Sequence, residues 1–184
     1  MNQVAGAGNR PGLRQTISRR RLPLLFVAIL CLMLGLWAGL IRIGWPWSPL
    51  RPTLPMAHGP LMIGGFLGAL IGLERAVALG NRWTYIGPVC SGVGALLVAF
   101  GIAPTLGVLL ILTGSLVLVL AMAVVVRIQP ALFTIVIASG AVAWTIGNVL
   151  WLSGYTVAQI VLWWAGFLVL TITGERLELS RMLR

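Results

Sequence analysis

Residues 104–126 read PTLGVLLILTGSLVLVLAMAVVV, an apolar run without a charged side chain. A run of this length spans the hydrocarbon core of a bilayer as an α-helix, since about 20 helical residues cover about 30 Å. Similar runs fill most of the chain on both sides of it. A lipid-facing β-strand alternates apolar and polar residues, so these continuous runs predict an all-α transmembrane helix bundle and not a barrel.

The composition excludes a soluble domain. Of the 184 residues, 59% are hydrophobic and 9% are charged, and the mean hydropathy is +1.03. Three acidic and thirteen basic side chains are too few for a solvated surface. The bases lie in the N-terminal tail and at the ends of apolar runs, so the net charge of +10 does not indicate a nucleic-acid partner. The predicted partner is the lipid bilayer.

The apolar runs predict about six transmembrane helices. We expect a disordered basic tail at residues 1–21 and a six-helix transmembrane domain at residues 22–184, with a Trp- and Pro-rich loop at residues 44–55. The spans are predicted near residues 22–43, 56–79, 83–103, 104–126, 130–153 and 156–181.

The arginines predict the orientation. All thirteen bases are Arg, which is typical of a GC-rich bacterial genome, and only Arg42 and Arg51 fall at the far end of the predicted bundle. The positive-inside rule therefore places both termini in the cytoplasm and the protein in a bacterial inner membrane.

Two stripes of small residues predict faces on which helices pack closely. The stripes are Gly64, Gly68 and Gly72 on the second span, and Ser139, Ala143 and Gly147 on the fifth.

The second and sixth spans share a spaced motif. On the second span, the segment GFL at residues 65–67 is followed by Glu74-Arg75. On the sixth span, GFL at residues 166–168 is followed at the same spacing by Glu175-Arg176. Because the chain has only three acids, the matching Glu positions indicate an internal repeat of four helices. We interpret the two Glu-Arg pairs as structural charge pairs at the membrane boundary, with a proton or ion entry path as the alternative.

The only histidine, His58, begins a stripe of small residues on the second span. Met62, Gly65, Ala69 and Gly72 follow it at helical spacing. On a haem-binding helix the imidazole supplies an axial nitrogen, and small residues let the flat macrocycle lie against the backbone. A stripe of small residues is also typical of tightly packed helices. The cofactor-binding hypothesis names His58, Met62 and Gly65, with His58 as the metal ligand and haem b as the cofactor. Met62 is one turn from His58 and cannot be the opposite axial ligand.

Residues 58–66, HGPLMIGGF, resemble the His-x-His-Glu-Met-x-x-Gly-Phe segment of NnrS-type membrane proteins. Those are twelve-helix bacterial proteins linked to nitric-oxide and nitrosative stress and described as binding haem and copper. The related haem-copper oxidase core is built from four-helix units. The resemblance matches His58 to the first His, Met62 to the Met, and residues 65–66 to Gly-Phe. Pro60 and Leu61 replace the second His and the Glu, which removes most of the segment's metal ligands, and six spans are half of the family's number.

These observations leave three hypotheses. The first is a non-catalytic accessory or structural subunit that packs in a larger membrane complex or homo-oligomer. The second is a b-type haem protein with His58 as axial ligand. The third is a small transporter or channel built from repeats. Catalysis is the least favoured, because no group is placed to act as general base, nucleophile or metal cluster.

Overall fold

The computed structural model describes the backbone of residues 12–182 and the side chains of residues 21–181, and this part of the chain is helical with short connecting turns. Six helices are long and apolar enough to cross a membrane, which confirms the predicted class and number of spans. The second, which we term span 2, is continuous over residues 54–79 and changes its winding along its length. The first helix is α1 (Gly12–Arg42). Span 2 consists of a 3₁₀ turn (Leu54–Ala57), the residues His58 and Gly59, a π-helix (Pro60–Gly68) and α2 (Ala69–Leu79). After it come a 3₁₀ turn (Trp83–Tyr85) that leads into α3 (Ile86–Phe100), and then α4 (Pro104–Ile128), α5 (Leu132–Leu152) and α6 (Val157–Met182).

The helix ends follow local sequence rules. Gly80 and Gly101 end α2 and α3 with positive φ angles of 67° and 62°, which side chains with a Cβ disfavour. Pro104 begins α4, where its missing N–H costs no hydrogen bond.

The first helix begins ahead of the predicted first span. Helix α1 begins at Gly12, so residues 12–21 are helical, and residues 1–11 lie outside the described residues. Residues 13–22 contain neither Gly nor Pro, and most of them are Leu and Arg, which favour helix. The part of α1 that is apolar enough to cross a membrane, Arg21–Arg42, agrees with the predicted first span.

Span 2 is the centre of the bundle and the most buried of the six spans. The other helices form an arc around it in the order α1, α3, α4, α5 and α6, each packed on the next. Helix α6 packs mainly on α5, and α1 packs on span 2 and α3. The arc is therefore open between α1 and α6, and one side of span 2 is left uncovered there.

The glycine stripe of span 2 faces three helices instead of the single face predicted. Span 2 lies among the other helices, and part of it is wound as a π-helix, with a bond from the Ala69 amide to the Gly64 carbonyl. On such a central helix, successive glycines of one stripe can each lie against a different neighbour. The neighbours are Ile111 of α4 for Gly64, Trp144 of α5 for Gly68 and Pro88 of α3 for Gly72. Each glycine still marks a close approach, as small residues in membrane helices do.

The stripe on α5 is only partly a packing face. Gly147 lies against Trp164 of α6, and Ala143 faces Gly166. Ser139 is instead exposed, and its hydroxyl donates to the Ile135 carbonyl one turn earlier. The prediction that Ser139 belongs to a packing face is wrong, because a serine that bonds its own helix needs no partner helix.

Candidate functional site

The opening between α1 and α6 forms a cleft of about 660 Å³, which we term the lateral cleft. Its volume lies within the range of ligand sites in proteins, about 300–1,000 Å³. Its walls come from the end of α1, the start of span 2 and the first half of α6. The lining residues are Arg42, Met56, His58, Gly59, Met62, Ile63, Thr156, Val157, Ala158, Val161, Trp164, Ala165 and Leu168.

His58 is held in this cleft by helix α1. Its Nδ1 lies 2.8 Å from the carbonyl oxygen of Gly35. The ring also rests on Gly39, where a Cβ would lie 2.9 Å from two ring atoms. Because a carbonyl oxygen only accepts, Nδ1 is the donor in this bond, and the tautomer with its single proton on Nδ1 has its lone pair on Nε2. Metal-binding histidines are commonly oriented by such a bond to a backbone carbonyl.

The second ring nitrogen of His58 is free to bind. Within the described residues Nε2 makes no hydrogen bond, and it is not enclosed by protein atoms. The half-buried imidazole therefore offers one acceptor, or one metal ligand, to whatever enters the cleft.

The facing wall of the lateral cleft is Trp164 of α6, which the sequence analysis did not single out. Its indole Nε1 donates to Oδ1 of the buried Asn148 on α5 at 3.1 Å. The edge of Trp151 packs on it with ring centroids 5.5 Å apart. These contacts fix the indole in one orientation, and because it is only 2% exposed, only a small part of its surface reaches the cleft.

Charge and polarity are distributed unevenly along the cleft. Arg42, His58 and Thr156 lie near one end, and the lining deeper in the bundle is apolar. All three acidic side chains of the chain, Glu74, Glu175 and Glu178, lie at the opposite end of the bundle. Within the described residues Arg42 forms no ion pair, so its positive charge is available to a ligand.

The residues predicted to hold haem separate into two groups. His58 and Met62 both line the lateral cleft. Gly65 is buried, and a Cβ there would lie 2.7 Å from both the Cys31 sulfur and the Ala95 Cβ. A macrocycle therefore does not fit over Gly65, whereas His58 and Met62 remain in reach of a cleft ligand. Gly35 and Gly39 could have been found in the sequence, since two glycines four residues apart on α1 indicate a close approach.

At the other end of the bundle the two predicted charge pairs contact each other. The Arg75 guanidinium, 11% exposed, lies 3.2 Å from Glu74 and 3.8 Å from Glu175 of α6. Arg176 is exposed and forms no ion pair within the described residues. The internal repeat itself stays a prediction.

Metal coordination by several side chains has no support in the part of the chain that the structure describes. It contains no group of three or more His, Cys, Asp or Glu residues placed to hold a metal ion. Its two cysteines are free thiols on different helices. Any metal in the lateral cleft would therefore have His58 as its one imidazole ligand, with only the thioethers of Met56 and Met62 as further side-chain donors of soft character in the lining.

The fold and the cleft define a polytopic helical membrane protein with a lateral, largely apolar opening. The chain belongs to the family described as a domain of unknown function, DUF8744, whose model matches residues 21–184. No curated protein and no solved structure matches the chain.

Proposed function

We propose that the protein is a non-catalytic integral membrane protein that binds an amphiphilic ligand in the lateral cleft through Nε2 of His58. The observation that carries the proposal is the bond from His58 Nδ1 to Gly35, since it fixes Nε2 as the unprotonated nitrogen. Arg42 supplies the only positive charge of the cleft lining, so an anionic group on the ligand complements it.

A b-type haem is the ligand that would use each of these groups, and the NnrS-type resemblance also implies it. His58 would hold the iron, Arg42 would pair with a carboxylate, and Met62, Ile63 and Trp164 would contact the apolar ring. When bound, a haem held by His58 would supply one-electron redox chemistry.

The test is an absorption spectrum of the protein purified in mild detergent, oxidised and dithionite-reduced, with haemin added to any colourless fraction. We expect a Soret band and a reduced α-band in the wild type and their loss in His58→Ala. Added imidazole restores the bands in His58→Ala if the lost group is an axial ligand. A wild type that binds no haemin, with helical circular dichroism intact, rules out haem.

Substitutions of Arg42 and of Arg51 form a matched test of whether Arg42 binds the anionic group of the ligand. Both are exposed arginines at the same end of the bundle, but only Arg42 lines the cleft. We expect Arg42→Gln to weaken haemin binding about tenfold, as loss of a charged hydrogen bond does, and Arg51→Gln to leave it unchanged.

A second function, as an accessory or structural subunit, is favoured by the uncovered side of span 2. A transmembrane helix from another subunit or a second copy would close the arc between α1 and α6. A photoreactive amino acid at Ala165, in the cleft, tests this beside the same group at Leu116, an exposed position on α4. Protein crosslinks from position 165 alone support a subunit, and crosslinks from neither position support a small ligand.

The orientation completes the proposal. We propose that the end carrying Arg75, Arg82 and Arg127 faces the cytoplasm of a bacterial inner membrane, and the excess of arginine at this end supports that orientation. The lateral cleft then opens near the outer surface. A fluorescent-protein fusion at the C-terminus should fluoresce, and an alkaline-phosphatase fusion there should be inactive.

A further inference from the structure

A second, smaller groove lies at the opposite end of the bundle from the lateral cleft. Its volume is about 390 Å³, and it lies between the beginning of the third span and the last turns of α4. It is lined by Trp83, Leu120, Ala123, Val124 and Arg127. Neither the haem hypothesis nor the open arc of helices involves it.

The charges beside this groove lack protein partners. Arg127 lines it, and Arg82 immediately precedes Trp83 in the chain; both are exposed. Among the described residues the ion pairs of this end involve Arg75 with Glu74 and Glu175, and neither Arg82 nor Arg127 takes part. The Arg127 guanidinium is therefore left at an apolar groove at the membrane boundary, and Arg82 adds a second exposed charge one residue before the lining residue Trp83.

The apolar and charged side chains around the groove follow the same order along the membrane normal as the acyl chains and headgroup of a lipid. Leu120 lies two turns before Arg127 on α4, further from the end of the helix, so the apolar part of the groove extends into the hydrocarbon region. Trp83 is 39% exposed at the boundary, the depth that tryptophan prefers. The arginines lie where headgroups are, and basic pockets between membrane helices bind anionic headgroups.

We propose that this groove is a binding site for an anionic phospholipid of the bilayer. The phosphate accepts hydrogen bonds from Arg127, the nearby charge of Arg82 attracts the same headgroup, and an acyl chain lies against Trp83, Leu120 and Ala123. A zwitterionic lipid has the same acyl chains but carries a cationic group that the two arginines repel, so the site is selective by charge.

Native mass spectrometry of the whole protein tests the site, with dioleoyl phosphatidylglycerol and dioleoyl phosphatidylcholine as probes. We expect the wild type to retain phosphatidylglycerol preferentially. Each of Arg127→Gln and Arg82→Gln should weaken this binding about fivefold, the effect of one basic residue near a membrane surface. Arg181→Gln, an exposed arginine at the same end on α6, should leave it unchanged.

A second pair of variants locates the lipid without changing charge. Ala123→Phe fills the groove and should reduce phosphatidylglycerol retention, whereas Leu116→Phe, exposed on the same helix outside the groove, should not. Equal retention of both lipids, an equal effect of Arg181→Gln, or a dimer mass in place of a lipid adduct overturns the proposal. Circular dichroism of each variant establishes that the helices are intact.

Discussion

The guanidinium of Arg75, at the end of span 2, lies 3.8 Å from the carboxylate of Glu175 near the end of α6. The same guanidinium nitrogen also contacts Glu74 at 3.2 Å. Helix α6 otherwise packs mainly on α5, so this ion pair is a direct link between the last helix and the central one. It lies at the opposite end of the bundle from the lateral cleft.

The ion pair should contribute little to stability. The Glu175 side chain is 40% exposed, and partly exposed pairs contribute about 0–1 kcal/mol because water and salt screen them. We expect a double-mutant cycle of Arg75→Gln and Glu175→Gln to give a coupling below about 1 kcal/mol that falls further in high salt. Unfolding in detergent at two salt concentrations measures it. A coupling energy of several kcal/mol would contradict this expectation and show that water does not screen the ion pair.

Glu178 provides the control for this cycle. It lies on α6 one turn after Glu175, and it forms no ion pair within the described residues. The change Glu178→Gln should leave the free energy of unfolding unchanged. A loss equal to that of Glu175→Gln would mean that total charge, and not the contact with Arg75, decides stability.

The spans were predictable from the sequence, and the packing of span 2 was not. Continuous apolar runs and the break at Gly80 and Pro104 suffice to find six helices, because length and hydropathy set membrane spans. The helices that Gly64, Gly68 and Gly72 contact depend on how the neighbours are arranged around span 2, which hydropathy does not reveal. A glycine stripe in the sequence therefore marks close approaches without telling how many helices make them.

The contact between Gly68 and Trp144 gives a test of that packing. A Cβ at residue 68 would overlap the indole of Trp144, which is fully buried and stacked on Phe167 with ring centroids 4.9 Å apart. We expect Gly68→Ala to destabilise the protein by about 1–3 kcal/mol, the usual effect of overpacking. Thermal unfolding in detergent measures the change.

Gly166→Ala is the matched control for Gly68→Ala. Its added Cβ would lie 3.8 Å from Ala143, an ordinary contact. Because alanine favours helix over glycine by about 1 kcal/mol, Gly166→Ala should be neutral or slightly stabilising. If both variants lose the same stability, helix propensity or the detergent is responsible and the close approach of span 2 to α5 is not.

The hydrogen bond between Trp164 and Asn148 should be measurable as a coupling energy. Both residues are almost fully buried, and the indole donates to the amide oxygen at 3.1 Å. Hydrogen bonds between membrane helices contribute about 0.6 kcal/mol on average and up to about 1.7. A cycle of Asn148→Leu and Trp164→Phe should give a positive coupling in this range. A coupling of zero would mean that the bond does not hold the cleft wall.

Only part of the candidate site was visible in the sequence. His58 stood out as the single histidine, and Met62 followed from helical spacing. Trp164 and Arg42 were not found, because they come from α6 and α1 and meet span 2 only through tertiary packing. Gly65 was assigned to the ligand surface although Cys31 and Ala95 cover it, since the direction of a small residue in an apolar helix leaves no pattern in the sequence.

The position of the imidazole against α1 gives the last prediction. A methyl group at residue 39 would lie 2.9 Å from Cε1 and Nδ1 of His58, so Gly39→Ala should push the ring from the Gly35 carbonyl. Residues that orient a ligating histidine change metal affinity about 10- to 100-fold, and we expect Gly39→Ala to weaken haemin binding by that factor. Gly35→Ala meets instead the flexible Met62 thioether, at 2.8 Å, and should weaken binding less. Titration followed at the Soret band compares the two variants; equal affinities would show that α1 does not orient His58.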